Sequence, residues 1–147
     1  FRYLARRPFH PERFHAFLDG IGGYGTLLRS KGYFWLATRN DFAGQWSQAG
    51  GIMRHGMAGV FWAAMPEAYW PEDDETRRII TERWEQPYGD RRQELVFIGQ
   101  NLDEAALRAA LDECLLSDQE MSAGPEAWEA FSDPFPAWQE IAEEEPA

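Results

Sequence analysis

The segment from residue 27 to residue 63 constrains the fold most, because it is rich in aromatic residues and glycine and lacks the periodicity of a helix. It divides into three predicted strands, at about residues 28–38, 42–49 and 52–63. Between them lie Asn40-Asp41 and Gly50-Gly51, pairs that tolerate the backbone conformations of tight turns. The segment therefore predicts an antiparallel meander of three strands.

Two amphipathic helices are predicted on either side of this meander. The apolar residues of the first recur with helical spacing after Pro11, at Phe14, Phe17, Leu18 and Ile21. Those of the second lie in residues 102–116, at Leu107, Leu111, Cys114 and Leu115. Further elements are predicted as strands at residues 1–7 and 91–99 and as a helix at residues 72–84. Ser117-Asp118-Gln119-Glu120 is a capping-box sequence and predicts another short helix. The order β-α-β-β-β-α-β-α predicts an α+β fold related to ferredoxin-like folds, with a mainly antiparallel sheet of about four to five strands and helices packed on one face.

The composition of the 147 residues, 44% hydrophobic and 15% aromatic, suits one domain with a sizeable core. We place this domain at residues 1–132 and an acidic C-terminal tail at residues 133–147, which Phe135 and Trp138 either hold against the domain or leave frayed. No apolar run of about 18 residues is present, so we expect a soluble, cytoplasmic chain. Because the first residue is Phe1, we also expect a piece of a longer polypeptide.

The net charge of −11 is unevenly distributed along the chain. Up to Leu102 there are 13 basic and 12 acidic residues, whereas from Asp103 onward there are 1 basic and 13 acidic residues. Non-specific binding to nucleic acid requires a basic excess, since it depends on neutralising phosphates. The charge therefore argues against a nucleic-acid partner.

The glycines Gly20, Gly22 and Gly25 match the G-x-G-x-x-G pattern of dinucleotide-binding turns. Such a turn must follow a strand and precede a helix, because the helix N-terminus binds the pyrophosphate. Here the glycines follow a predicted helix and precede a strand. We therefore interpret them as the end of a helix and a loop.

The segment Lys31–Leu36 is similar to the basic and aromatic core of an RNA-recognition strand. Tyr33 and Trp35 would share one face of the strand, as stacking requires, but Phe34 lies on the other face. The motif also falls on the second predicted strand, whereas the RNA-binding module has it on the third. RNA binding therefore stays a hypothesis, ranked behind the two functions described at the end of this section.

No pattern in the sequence predicts a catalytic or metal site. The three histidines, His10, His15 and His55, lack the spacing of paired ligands, and Cys114 falls on the apolar face of its helix. The acidic run at residues 72–75 is typical of the first turn of a helix. No P-loop motif occurs, so this chain by itself is not expected to bind or hydrolyse GTP.

Four segments in a fixed order resemble the C-terminal domain of the CobW family of P-loop GTPases. They are ARRPFHPERFHAFL, LLRSKGYFWLATR, WSQAGG and GDRRQELVFIGQNLDEAALRAALDECLLSDQE. The resemblance covers about residues 1–132. It implies a two-domain parent whose N-terminal domain binds GTP, Mg²⁺ and zinc or cobalt, with no cofactor, catalytic residue or metal ligand in this chain.

The resemblance also implies a role: a non-catalytic interaction and regulatory domain of a GTP-dependent zinc or cobalt chaperone or cobalamin-synthesis protein. Its partners would be the GTPase domain of the same polypeptide and a client metalloprotein, with no nucleic acid and no membrane. In isolation, two copies of the chain would be able to form a homodimer through an exposed sheet face.

Exposed aromatic rings flanked by cations are typical of protein interfaces. On that basis the candidate partner surface comprises Arg29, Lys31, Tyr33, Trp35, Arg39 and Trp46. The same rings would fit equally well beneath the helices. An alternative function is a small-ligand-binding domain or enzyme with a pocket between sheet and helices, where Glu67, Tyr69 or Arg54 would act.

Overall fold

The computed structural model describes residues 1–138 and contains a five-stranded antiparallel sheet in the order β1-β5-β2-β3-β4. The strands are β1 (Arg2–Ala5), β2 (Thr26–Trp35), β3 (Phe42–Ala49), β4 (Ile52–Val60) and β5 (Gln93–Gln100). The helices are α1 (Pro11–Asp19), α2 (Asp74–Glu82), α3 (Glu104–Cys114), α4 (Asp118–Ala123) and α5 (Pro125–Trp128). The predicted fold class and the β2-β3-β4 meander are confirmed.

Side-chain caps explain where the helices begin. Pro11 opens α1, and the Nδ1 atom of His10 accepts a hydrogen bond from the backbone N–H of Glu12 at 3.2 Å. The carboxylates before α2 and α3 cap them in the same way. At α4 the predicted capping box is present between Ser117 and Glu120.

The main core lies between one face of the sheet and helices α1 and α3. Cross-strand register brings large side chains of four strands to this face: Tyr3, Phe34, Trp46, Leu95 and Phe97. The helices contribute Phe14, Phe17, Leu18, Leu107 and Leu111. All ten side chains are buried, so this face supplies most of the hydrophobic stabilisation.

A smaller core closes one end of the sheet. Trp35 is fully buried there against Phe61, Leu116 and Trp128. The indole N–H groups are satisfied, since Trp35 donates to Asn40 at 2.8 Å and Trp128 donates to the Glu120 carbonyl at 2.7 Å. This second cluster binds α5 to the end of β2.

The middle of β2 contains a glycine that its neighbours require. Gly32 has φ +147°, and a Cβ atom at this position would overlap the carbonyl oxygen of Glu94 on β5. A side chain here would force β5 away from β2, so glycine is needed for the two strands to pair.

The side chain of Gln93 joins three segments at the start of β5. It is completely buried, its Oε1 accepts from the N–H of Trp35 at 2.8 Å, and its Nε2 donates to the Trp35 carbonyl at 2.7 Å. The same nitrogen donates to the carbonyl of Arg7 at 3.0 Å. The amide therefore satisfies backbone groups where β2 ends and where the chain enters α1.

The first residues of the predicted tail pack on the domain. Phe135 is buried in the main core, 6.0 Å from Phe14 between ring centroids. Arg39 holds the segment by pairing with Asp133 at 2.9 Å, and its guanidinium lies 4.3 Å from the ring of Trp138. Residues 133–138 are therefore held against the domain, whereas the acidic remainder of the predicted tail lies outside the described residues. The domain boundary after residue 132 stays a prediction.

Replacing Gln93 with alanine is expected to lower the free energy of unfolding by about 2 to 4 kcal/mol, because it leaves the Trp35 N–H and the Arg7 carbonyl without this buried partner. Gln45→Ala is the matched control on the exposed surface of β3, with an expected change below about 0.5 kcal/mol. Urea unfolding followed by tryptophan fluorescence measures both values. Equal losses in the two variants would contradict this role for Gln93.

The stability of the domain is expected to fall in mild acid. Burial, followed by the charge of Arg13, lowers the pKa of His10, and burial with the charges of His15 and Arg39 lowers the pKa of His55. The unfolded chain therefore takes up protons first, so the free energy of unfolding decreases as the pH falls through about 6.5.

His10→Asn tests this, because asparagine keeps the N-cap of α1 and does not titrate. Urea unfolding at several pH values is expected to show a smaller pH dependence in this variant, with the remainder due to His55. A pH dependence as steep as that of the parent chain would exclude His10 as a source.

Candidate partner-binding surface

The second face of the sheet points away from α1 and α3. Residues directly opposite each other on paired strands share a face, and residues two apart along a strand do too. One row across the sheet on this face is Arg2, Val96, Lys31, Ser47 and Arg54; the next is Leu4, Glu94, Tyr33, Gln45 and Gly56. We call this the open face.

The open face is basic although the chain as a whole is acidic. Its strands carry four exposed cations, Arg2, Arg29, Lys31 and Arg54. Among the described strand residues that face this way, Glu94 is the one carboxylate, and it is paired with Arg92 at 2.9 Å. The field over this face is therefore opposite in sign to the net charge of −11.

Large apolar side chains lie exposed between these cations. The exposed fractions are 52% for Leu4, 47% for Tyr33, 53% for Ile98 and 65% for Ile52. An exposed apolar area surrounded by positive charge is typical of a protein-binding surface.

A cavity of about 260 Å³ lies at the edge of the open face, beneath α2. Its apolar wall includes Ala58 and Val60 from β4, with Ile79 and Ile80 from α2, and Tyr33 borders it. Arg83, which caps the end of α2, and Arg92 add positive charge.

The cavity has a fixed floor. The carboxylate of Asp90 is buried there and accepts hydrogen bonds from the backbone N–H groups of Trp62 at 3.0 Å and Ala63 at 2.8 Å. These bonds hold the chain as it leaves β4. Trp70 packs on Trp84 with ring centroids 5.5 Å apart, which connects the loop before α2 to the segment after it.

Three of the six predicted surface residues lie on the open face: Arg29, Lys31 and Tyr33. Trp46 lies on the opposite face, under the helices, and only 2% of it is exposed. Its indole donates to the Ser30 hydroxyl at 2.7 Å, which satisfies the ring's polar atom inside the core. The expectation that Trp46 belongs to an exposed patch is therefore corrected.

The other two predicted residues also lie away from this surface. Trp35 shares the side of Tyr33 but is completely covered by the second core, so it too is corrected to a core position. Arg39 is occupied by Asp133 and by the carbonyls of Phe135 and Pro136. It holds the C-terminal segment and does not extend the basic surface.

Four further members of this surface were not predicted from the sequence: Arg2, Leu4, Arg54 and Ile98. Arg2, Leu4 and Ile98 alternate with core residues along their strands, and this local signal is present in the sequence. Arg54 has no such signal, because none of the residues of β4 is buried. What the sequence does not give is the pairing of β1 with β5 and of β5 with β2, which brings these separate segments side by side.

The space between the sheet and helices α1 and α3 is filled. The depression bordered by Phe14, Trp46 and Phe97 has no room for a water molecule. Glu67 pairs with Arg77 at 3.4 Å and Tyr69 is 72% exposed, and neither side chain, nor that of Arg54, lines the cavity beneath α2. These contacts do not assemble the enzyme site considered as an alternative.

Cys114, the one cysteine of the sequence, is not a nucleophile at neutral pH. Burial raises the pKa of the Cys114 thiol to about 12, so it stays protonated. Within residues 1–138 no three histidine, cysteine or carboxylate side chains come together as a metal site. None of the helices in that range has the length and apolar character to cross a bilayer.

The sequence matches known proteins over most of its length. The model of the cobalamin synthesis protein CobW C-terminal domain matches residues 1–115. The chain is 38% identical over 145 residues to zinc-regulated GTPase metalloprotein activator 1 of Dictyostelium discoideum, covering 97% of this chain and 30% of that protein. It is 37% identical over 137 residues to zinc chaperone Rv0106 of Mycobacterium tuberculosis, covering 92% of this chain and 34% of that protein.

The chain thus spans about a third of the length of the curated relatives it matches. Its fold is similar to part of a solved structure, the Zn(II)-bound YjiA GTPase from E. coli. The TM-score is 0.55 at 14% sequence identity, with 79% of this chain and 29% of that chain covered. Since the family model matches residues 1–115, which is most of the chain, this chain belongs to the CobW C-terminal domain family.

Proposed function

We propose that this chain is a non-catalytic interaction and regulatory domain of a GTP-dependent zinc or cobalt chaperone, or of a cobalamin-synthesis-type protein. Its open face docks on the GTPase domain of the same polypeptide and on a client metalloprotein. The observation that carries this proposal is the exposed Tyr33 among the cations Arg29 and Lys31, on a domain whose net charge is negative.

The lengths and names of the relatives support this assignment. Two of them are named as a zinc-regulated GTPase metalloprotein activator and as a zinc chaperone, and each is about three times as long as the part this chain matches. We place GTP, Mg²⁺ and the transported metal in that additional length. Among residues 1–138, burial keeps Cys114 protonated and no three histidine, cysteine or carboxylate side chains come together, which supports placing the transported metal outside this chain. We propose a cytoplasmic location for the whole protein.

Nucleotide state would regulate the contact by changing the GTPase surface that meets the open face. If this domain binds one nucleotide state of the GTPase domain more tightly, its binding shifts the equilibrium between the two states toward that one. By the same coupling, the GTPase domain then binds the corresponding nucleotide more tightly. A domain without a reactive group can regulate a GTPase in this way. The isolated chain, with the same face uncovered, would then have a surface through which two copies associate.

The cavity beneath α2 favours one alternative, a small-ligand-binding role. Its apolar wall and the polar groups Arg83, Arg92 and Asp90 have the character of a ligand site, although about 260 Å³ is at the small end for such sites. A ligand there would lie beside Tyr33. It would therefore either block docking of the GTPase domain on the open face or become part of the docked interface.

Docking is tested by titration calorimetry of this chain against the GTPase domain encoded in the same reading frame, with GTP-analogue and GDP forms compared. We expect binding in one state that is at least about tenfold tighter than in the other. Tyr33→Ser is expected to weaken the tighter complex roughly tenfold, about 1.4 kcal/mol, because exposed tyrosines are frequent anchors of interfaces.

The matched control is Tyr69→Ser, which removes a more exposed tyrosine that lies away from the open face. We expect this variant to bind as the parent chain does. Absence of binding in both nucleotide states would exclude the GTPase domain as the partner, and equal weakening by the two variants would exclude the open face as the contact.

A further inference from the structure

Four arginines converge where β1 and β5 meet the end of α2. A depression of about 260 Å³ at this end of the open face is lined by Arg2, Leu4, Arg6, Arg83, Arg92 and Glu94. The arginines come from β1, from the segments that follow β1 and α2, and from the residue before β5. Only the folded sheet brings them together.

The positive charge of this arginine depression is only partly balanced. Arg92 pairs with Glu94 at 2.9 Å, and Arg6 pairs with Glu85 at 3.2 Å. Within residues 1–138, no carboxylate lies within 4.0 Å of the guanidinium group of Arg2 or of Arg83, so neither forms an ion pair there. Two guanidinium groups, each with five donors, are thus left to face solvent on the same side of the sheet.

The ionisation of Glu94 reports the same field. Partial burial of its carboxyl opposes ionisation, but the hydrogen bond from Arg92 and the charges of Arg92, Arg83 and Arg2 outweigh it and lower its pKa. All three guanidinium groups are therefore close enough to act on this one carboxylate, which leaves an excess of positive charge around it.

The apolar cavity beneath α2 adjoins this depression directly. Arg83 and Arg92 line both, so a charged and an apolar compartment share a wall. A third depression, of about 290 Å³, continues along the open face between Lys31 and Glu94. It shares Glu94 with the arginine depression and Tyr33 with the apolar cavity, so we infer that the three depressions form one shallow channel across the open face.

We propose that the arginine depression and the cavity beneath α2 form one docking site for an extended acidic segment of a partner protein. A carboxylate of this segment binds between Arg2 and Arg83, and a large apolar side chain close to it in sequence fills the cavity lined by Val60 and Ile80. The inference rests on the proposed function, because it names the chemistry of the segment by which the partner is held.

Two features favour a peptide over a polyanion such as nucleic acid. Glu94 lies within the channel, where it repels a continuous row of phosphates but accepts hydrogen bonds from the backbone N–H groups of a peptide. The chain also carries a net charge of −11, which opposes the approach of a long polyanion, whereas a few carboxylates respond mainly to the local arginines.

The probe is a short fluorescein-labelled peptide in which glutamate and leucine are separated by one serine, so that both lie on the same side of an extended chain. A matched peptide has glutamine in place of glutamate, and a single-stranded RNA of similar length is the third probe. Fluorescence anisotropy with the full chain of 147 residues measures binding of each. We expect the glutamate peptide to bind at least tenfold more tightly than the glutamine peptide, and the RNA to bind more weakly than either.

Arg83→Glu is expected to weaken binding of the glutamate peptide at least tenfold. The matched control Arg78→Glu makes the same change of charge at an exposed position of α2 that lines neither compartment, and we expect less than a twofold effect. Ala58→Phe fills the apolar cavity from an exposed position of β4, and is expected to weaken binding at least fivefold without changing the charge. Urea unfolding midpoints close to that of the parent chain establish that each variant is folded.

Equal binding of the glutamate and glutamine peptides, or equal effects of Arg83→Glu and Arg78→Glu, would overturn the site. RNA binding tighter than peptide binding would overturn it as well and assign the face to nucleic acid. The calorimetry experiment separates the two proposals. If the peptide binds and needs Arg83 but the GTPase domain does not bind, the docking site is supported and the GTPase domain is refuted as the partner. If the GTPase domain binds, unaffected by Arg83→Glu and Ala58→Phe, and the peptide does not bind, the proposed function is supported and the docking site is refuted.

Discussion

The arrangement of the domain depends on the buried amide of Gln93. This side chain forms hydrogen bonds with the backbone N–H and carbonyl of Trp35 and with the carbonyl of Arg7. The two residues belong to segments that are far apart in sequence. A buried amide with all these partners allows one relative position of the segments, because any other leaves polar groups unsatisfied. Together with the ladder between β2 and β5, this amide holds the end of β2 and the segment that leads into α1 in place.

The register set in this way decides which residues are available to a partner. The pairing that turns Leu95 and Trp46 toward the helices also turns Val96 and Lys31 to the open face. A slip by one residue would exchange the two sets and expose the aromatic core. Gly32 supports the register from the centre of the sheet, since only a residue without Cβ fits against the Glu94 carbonyl. The basic surface and the core are thus two consequences of one alignment.

Local patterns predicted much of the fold correctly. The turn pairs Asn40-Asp41 and Gly50-Gly51 separated the strands of the meander, helical spacing located α1 and α3, and the Ser117 capping box located α4. These signals are short in range, so they can be found in a single sequence. The surface was predicted less completely: Tyr33, Arg29 and Lys31 lie on the open face, but Trp35 and Trp46 are in the core. An aromatic residue on a strand has the same local pattern on a buried face as on an exposed one.

The sequence alone determined the class of the fold, the order of its elements, the family and the concentration of acid in the last third of the chain. The tertiary structure alone decided that Arg2, Arg83 and Arg92 surround one carboxylate beside an apolar cavity. These arginines come from three separate segments, each unremarkable by itself. Their proximity depends on the pairing of β1 with β5 and on the position of α2, contacts between residues distant in sequence that no local periodicity encodes.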